Sequence, residues 1–335
     1  MSLDTPASVG IDAIRAAAGR LACHARVTPL LENTHLNRLA GRRVMLKAEC
    51  LQLTGSFKFR GAWSALTALE PEVRARGVIA YSSGNHAQGV AHAAELLGVP
   101  AVIVMPSDAP ALKIANTRAH GAEVVLYDRP GGQSREGVGE AIAAERGLTL
   151  IPPFDYPMVI AGQGTVGLEI AAQAAEAGVR EADVLVCTGG GGLSAGVALA
   201  LEAEAPGLRV RTAEPAGFDD WLCSLAAGTR LRNPTETGSI CDAVLTPTPG
   251  VLTWSILASR AGPALSVSDD EAMQAMAAAF LRLKVVLEPG GAVALAAALS
   301  RADEIEGDTV ICVGSGGNAD PKIFAEALSR YGEAV

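Results

Sequence analysis

Short apolar runs alternate with longer Ala-rich stretches along most of this chain. Gly77-Val78-Ile79-Ala80-Tyr81 reads as a buried strand. It runs into the polar segment Ser82-Ser83-Gly84-Asn85-His86 and then into a helical stretch from Ala87 to Leu97. Ala101–Met105 is a second strand, stopped by Pro106, and Glu123–Tyr127 is a third. About twenty residues separate successive strands, enough for a crossover helix, so the pattern predicts a parallel sheet covered on both faces.

The rhythm returns later. Val184–Cys187 is a strand that ends in Thr188 and four glycines. Leu208–Thr212 ends in Glu214-Pro215, and Val310–Val313 ends in Gly314-Ser315-Gly316-Gly317-Asn318. Helical stretches lie between, including Asp269–Leu283 and Ala292–Ser300. No sequence repeat of fixed period is evident. The pattern predicts an α/β fold of two open, mostly parallel-sheet lobes with helices on both faces. One lobe is centred on 78–150 and the other on 157–335, while a helical span at Asp4–Ala18 fits either. Ligands of open parallel sheets sit beyond the carboxyl ends of the strands. Three polar, glycine-containing segments follow predicted strands and can converge on one cleft.

Composition narrows the classes. Apolar residues make up 49% of the 335 residues and aromatics only 4%, so the core must be sizeable and mostly aliphatic. The net charge of −9 argues against the basic surface of a nucleic-acid binder. The six cysteines form no CxxC pair and read as reduced small hydrophobes. The N-terminal residues lack the pattern of a signal peptide, and no apolar run is long enough to cross a bilayer. A soluble, cytoplasmic protein acting on a small molecule is the expectation.

Four segments carry candidate chemistry. Gly189-Gly190-Gly191-Gly192 lies between a strand and the helix-compatible run Leu193–Glu202. Bare backbone N–H groups and a helix N-terminus there suit a phosphate. The alternative is a turn packed closely against a neighbour. The spacing is neither GxGxxG nor GxxxxGK[ST], which weakens dinucleotide and nucleoside-triphosphate readings. Lys58, one of five lysines, sits between Phe57 and Phe59. Desolvation would make it a neutral nucleophile, although a snorkelling surface lysine reads the same way. Ser82-Ser83-Gly84-Asn85-His86 can seat a carboxylate, with Asn85 free to donate to a phenolic oxygen, or can simply cap a helix. Ser315 offers a neutral hydroxyl to a ring nitrogen. His24, His35, His92 and His120 show no metal-ligand spacing.

Taken together, these segments resemble the pyridoxal-phosphate (PLP)-dependent serine/threonine dehydratase and serine racemase family, of the tryptophan-synthase-β fold class (fold type II). SFKFRGA at 56–62 resembles the family's cofactor-carrying lysine motif, and SSGNHAQGVA at 82–91 its substrate-carboxylate loop. GGGG at 189–192 resembles the phosphate loop, and SGGN at 315–318 the segment serving the pyridine nitrogen. The resemblance runs over about residues 15–330.

The resemblance implies PLP in the cleft between the lobes. Residues 1–68 and 157–335 would form a large cofactor-binding domain, and 78–150 a small substrate-binding domain. Phe57, Lys58, Asn85, Gly189, Gly190, Gly191, Gly192 and Ser315 would contact the cofactor. Ser82, Ser83, Asn85 and His86 would hold the substrate, with Lys58 and Ser83 catalytic. Glu214, the Phe218 carbonyl and Asp220 match positions that bind Mg²⁺ or Ca²⁺ in racemase-like members, although Asp219 and Asp220 also suit a solvated helix start. The implied reaction is elimination of water and then ammonia from a small L-3-hydroxy amino acid of the serine/threonine type.

Rival activities use the same residues. Arg135, in Gly131-Gly132-Gln133-Ser134-Arg135-Glu136, can clamp a second carboxylate, which suits 3-hydroxyaspartate, or can pair with Glu136 at the surface. Lys58 and Ser83 on opposite faces would support a serine or aspartate-type racemase. Phe154-Asp155, where racemase-like members carry an asparagine, argues against that. Cysteine-synthase-like replacement and a non-catalytic ligand sensor on the same fold are further alternatives. A homodimer without an appended regulatory domain is expected.

Overall fold

The computed structural model describes residues 9–82, 84–109, 111–128, 131–235 and 237–335. Two sheets organise them. In chain order the strands are β1 (Leu30–Glu32), β2 (Arg43–Lys47), β3 (Val78–Tyr81), β4 (Ala101–Pro106), β5 (Glu123–Tyr127) and β6 (Thr149–Leu150). There follow β7 (Ala182–Cys187), β8 (Leu208–Pro215), β9 (Leu265–Val267) and β10 (Thr309–Val313). The larger sheet has the order β1-β2-β10-β7-β8-β9 and the smaller β5-β4-β3-β6. Every pairing is parallel except β1 with β2. The expected pair of α/β lobes, largely parallel with helices on both faces, is what the chain forms.

Helices cover both faces of the large sheet. Asp269–Ala278 and Pro289–Ser300 bury Met276, Leu295 and Ala297 against one face, with Leu185 and Cys312. Pro157–Glu176 and Gly192–Glu204 pack Ile160, Val166 and Val197 against the other, with Val184, Val186 and Ile311. The small sheet buries Val78, Ala80 and Ile103 under Phe59 and Trp63 of helix Lys58–Thr67 and Val90 of helix Asn85–Leu97. Helix Lys58–Thr67 therefore packs on the smaller core while touching the larger. A Cβ added at Gly162 would lie 2.4 Å from the Arg60 carbonyl, so the two backbones meet directly.

Several elements escape the periodicity argument. Helix Pro157–Glu176 contains Gly162, Gly164 and Gly167, which read against a helix, yet each glycine permits a close backbone approach. It is buried almost all round, so it shows no polar face. β1, β6 and β9 have two or three residues each, too few to show alternation. The expected helix at Asp269–Leu283 is α-helical only to Ala278 and widens into a π-turn over Ala279–Leu283. The first helix runs Ile11–Leu21, three residues further than the expected Asp4–Ala18, whose first five residues lie outside the described residues. All six cysteines are free, and no helix among the described residues is long and apolar enough to cross a membrane.

Candidate active site

The carboxyl ends of β3, β7 and β10 open on one cleft, with a cavity of about 180 Å³. It brings together Lys58, Ser82, Asn85, the four glycines 189–192 and Ser315. Ser83 lies outside the described residues.

Lys58 is the first residue of helix Lys58–Thr67. Its loop is stitched to the loop after β10 by backbone bonds: Phe57 N donates to Ser315 O at 3.2 Å and Gly317 N to Gly55 O at 2.9 Å. That pairing fixes the amine relative to Ser315. Lys58 Nζ donates to the Pro153 carbonyl at 2.8 Å. Burial pulls its pKa down to about 8, because an ammonium loses more hydration than a neutral amine. The two flanking aromatics do different work. Phe57 lines the cleft with its ring 5.0 Å from Nζ. Phe59 is fully buried and faces Trp63 and His92 instead. Residues two apart at a helix start point to different sides, so Phe57, and not Phe59, stands beside the amine in the cleft.

Asn85 opens helix Asn85–Leu97. Its Nδ2 donates to Glu288 Oε1 at 2.5 Å, and its Oδ1 accepts from Asn318 Nδ2 at 2.7 Å. Glu288 also lines the cleft. Burial raises its carboxyl to about 7, against the pull of the Asn85 hydrogen bond. His86 is buried, with Nε2 2.8 Å from the Ile151 carbonyl and Nδ1 without a partner among the described residues. A carbonyl accepts only, so the Nε2–H tautomer is assigned. Burial, and then Lys58, push His86 down to about 3, so the ring is neutral.

The glycine run is required by close packing. Gly191 has φ +92°, and a Cβ there would lie 2.3 Å from the Trp221 ring. A Cβ on Gly190 would lie 2.4 Å from the ring of Phe154. Bare backbone thus faces the cleft at the start of helix Gly192–Glu204, the setting in which unpaired N–H groups and the helix dipole favour an anion. The tight-packing reading of the run holds as geometry. Phe154 lines the cleft. Asp155 does not; it accepts from Val251 N, Leu252 N and Thr253 N at 2.8, 2.9 and 3.1 Å and caps helix Val251–Leu257.

Arg135 lines the cleft edge, about half exposed. Its Nε is 2.7 Å from Glu136, and its guanidinium lies 5.7 Å from the Tyr81 ring centroid. Three cleft residues carry charge that the sequence reading missed: Glu288, Lys113 and Asp242. Lys113, on helix Ala111–Ala119, reaches Asp242 of the other lobe at 2.9 Å. A lone acid before Pro289 and a helix of almost unbroken apolar residues was the available signal for Glu288. Nothing local marks Lys113 or Asp242, which meet only through the fold.

Glu214 is the penultimate residue of β8 and is fully buried. Its Oε1 and Oε2 accept from Trp221 N and Leu222 N, both at 2.9 Å. Asp220 Oδ1 accepts from Asn233 Nδ2 at 2.8 Å, while Oδ2 is buried without a partner among the described residues. Burial, then the Asp220 charge, raises Glu214 well above the ordinary carboxylate range. Burial raises Asp220 to about 7. Phe218 is buried between them in sequence, at the turn.

Comparison with known proteins now assigns the class. Residues 22–316 match the family model described as pyridoxal-phosphate dependent enzyme. The chain belongs to that family, in the fold-type II group that includes serine/threonine dehydratases, ammonia-lyases and serine racemases, and it is a PLP-dependent enzyme acting on small amino acids. It is 42% identical to L-threo-3-hydroxyaspartate ammonia-lyase of Saccharomyces cerevisiae, covering 93% of this chain and 94% of that one. It is 38% identical to serine racemase of Schizosaccharomyces pombe, covering 95% and 97%. A solved threonine deaminase, that of T.th., is 46% identical with a TM-score of 0.87, covering 93% of this chain and 99% of that one.

The cleft fits the cofactor on its own terms. It offers a buried amine of lowered pKa, a bare-backbone cradle that a Cβ would fill, and a neutral Ser315 hydroxyl.

Proposed function

We propose that the chain is an ammonia-lyase that removes water and then ammonia from a small L-3-hydroxy amino acid. The observation that carries this reading is the Lys58 amine, which shares one cleft with the Ser82–His86 loop, the glycine run and Ser315. With pyridoxal phosphate bound, the N–H groups of 189–192 would hold its phosphate, Lys58 would carry it, and Ser315 would offer a neutral hydroxyl to its ring. When bound, pyridoxal phosphate supplies the electron sink for charge developing at the substrate Cα.

With the cofactor bound, Lys58 would stand beside the substrate Cα as the general base that takes its proton. Ser82, Ser83 and the free N–H groups at the start of helix Asn85–Leu97 seat the carboxylate. Asn85 gives one N–H to Glu288 and keeps its second for an oxygen in the cleft. The Cα–H and Cβ–O bonds break, Cα=Cβ forms, and the β-hydroxyl takes up one proton, equal to the one Lys58 removed from Cα, to leave as water. The released enamine tautomerises and hydrolyses to the 2-keto acid and ammonia. Ser315 suits this outcome, since a neutral partner leaves the ring nitrogen largely unprotonated and favours expelling charge through Cβ.

A second reading of the substrate is 3-hydroxyaspartate. Two cations, Lys113 and Arg135, line the cleft, and a relative 42% identical is named for that amino acid. Each cation is paired, with Asp242 or Glu136, so a second carboxylate would exchange with one of these. A substrate panel measuring ammonia, keto acid and D-amino acid tests both readings. Arg135→Ala is expected to lower kcat/KM for L-threo-3-hydroxyaspartate by about tenfold to a hundredfold, from the loss of a charged hydrogen bond, and to spare serine. Equal losses would remove the clamp. D-amino acid as the main product would overturn the lyase in favour of a racemase using Lys58 and Ser83.

A divalent cation, Mg²⁺ or Ca²⁺, is proposed at Glu214, Asp220 and the Phe218 carbonyl. The support is a pair of buried carboxylates, one with an unpartnered oxygen, which is the oxygen-rich setting hard cations take. Mg²⁺ is expected to raise the thermal midpoint of the wild type and not of Asp220→Asn.

A further inference from the structure

Away from the cleft, two histidines and a carboxylate converge on the small lobe. His92 and Glu95 lie three positions apart on helix Asn85–Leu97 and share a face. His120 arrives from the turn that follows helix Ala111–Ala119. His92 Nδ1 and His120 Nδ1 lie 3.0 and 2.9 Å from the same atom, Glu95 Oε2. One ligand atom from each residue falls within 4.8 Å of the other two, and the imidazole centroids are 4.7 Å apart. All three side chains are partly exposed, and a cavity of about 270 Å³ opens beside Glu95 and His120. The sequence shows no ligand spacing because the fold, not the helix repeat, brings His120 to His92.

We propose that His92, Glu95 and His120 form a binding site for a late first-row divalent cation such as Zn²⁺. Two imidazoles and one carboxylate are a ligand set that suits this class, and three protein ligands leave a fourth position for water. With metal–ligand bonds of about 2.1 Å, tetrahedral neighbours stand about 3.4 Å apart. The contacts of 2.9 and 3.0 Å need to open by about half an ångström, which three partly exposed side chains allow by small rotations. An imidazole that ligates through Nδ1 carries its N–H on Nε2. The cation ties the His120 turn to the helix whose first residues, Asn85 and His86, face the cleft. The His92 ring also lies 5.7 Å from Phe59, next to Lys58.

The test is zinc titration calorimetry on PLP-loaded enzyme stripped with a chelator. Millimolar Mg²⁺ is present throughout, to occupy any hard-cation site. Wild type, His120→Asn and Glu95→Gln are compared; both changes are at partly exposed positions, and unchanged melting in Mg²⁺ alone checks their folding. The expected result is one Zn²⁺ per chain with a Kd on the order of micromolar or tighter. Affinity should weaken by about tenfold or more in each variant, and zinc should raise the melting temperature of the wild type alone. No saturable binding, or binding unchanged in both variants as at exposed Cys23 or Cys223, overturns the proposal.

Discussion

Asn85 donates its side-chain amide to Glu288 at 2.5 Å, so a buried acid sets the orientation of the first helical residue at the cleft. Burial raises the Glu288 carboxyl from its ordinary 4.5 to about 7. The folded state then holds this proton more tightly than the unfolded chain. The stability it contributes is full below about pH 4.5, falls as pH rises, and is lost above about pH 7. Glu288→Gln removes the titration. The unfolding free energy of the variant, relative to wild type, is expected to rise by on the order of 1–3 kcal/mol between about pH 5 and pH 8. Denaturant unfolding at both pH values measures it, and a difference that stays flat would contradict it.

Arg60 sits two residues past Lys58 and is buried. It contacts Glu49 through Nε and Nη2, both at 2.8 Å, and Glu169 through Nη1 at 2.7 Å. Lys47 completes the cluster at 2.6 Å from Glu169. Arg60→Met leaves Glu49 buried without its cation. The expected loss is about 3–5 kcal/mol of unfolding free energy. Glu49→Gln combined with Arg60→Met should lose less than the sum of the single changes; additivity would mean the pair does not act as a unit.

Gly190 and Gly191 are held by different rings, which separates their variants. Gly190→Ala places a methyl 2.4 Å from the Phe154 ring, so Phe154→Ala is expected to restore much of its PLP retention. Gly191→Ala meets Trp221 at 2.3 Å and carries positive φ. It should cost about 1–3 kcal/mol in backbone strain alone, and Phe154→Ala should not rescue it. Bound PLP after gel filtration reads out all four proteins.

Much of this was legible in the sequence, for local reasons. β3, β4, β5, β7 and β10 are short runs rich in apolar residues, β8 alternates, and the polar segments at their carboxyl ends are contiguous in the chain. Lys58, the four glycines and Ser315 could be named because their segments, taken together and in order, resemble the motifs of the family. What escaped needs three dimensions. Lys113 and Asp242 meet across the lobes, and His92 and His120 meet across two helices, with no spacing to announce either. Helix Pro157–Glu176 hid behind its glycines, and nothing local announced that Asp155 caps helix Val251–Leu257. Arg135 reached the cleft edge and kept its surface partner Glu136 too, so the two sequence readings of it describe one position.

Lys58 should set the pH dependence of cofactor uptake. Burial alone lowers its pKa to about 8, and only the neutral amine attacks an aldehyde. The rate at which apoenzyme gains visible absorbance on adding PLP is expected to rise about tenfold per pH unit below about pH 8 and to level off above it. A rate that keeps climbing to the ordinary lysine range would show that the amine is solvated.

Borohydride reduction of the PLP-loaded enzyme, followed by peptide mapping, asks most directly which amine holds the ring. The expected result is a single reduced adduct on the peptide bearing Lys58, absent from Lys58→Ala. An adduct on Lys47, Lys113, Lys284 or Lys322, or none, would contradict the assignment.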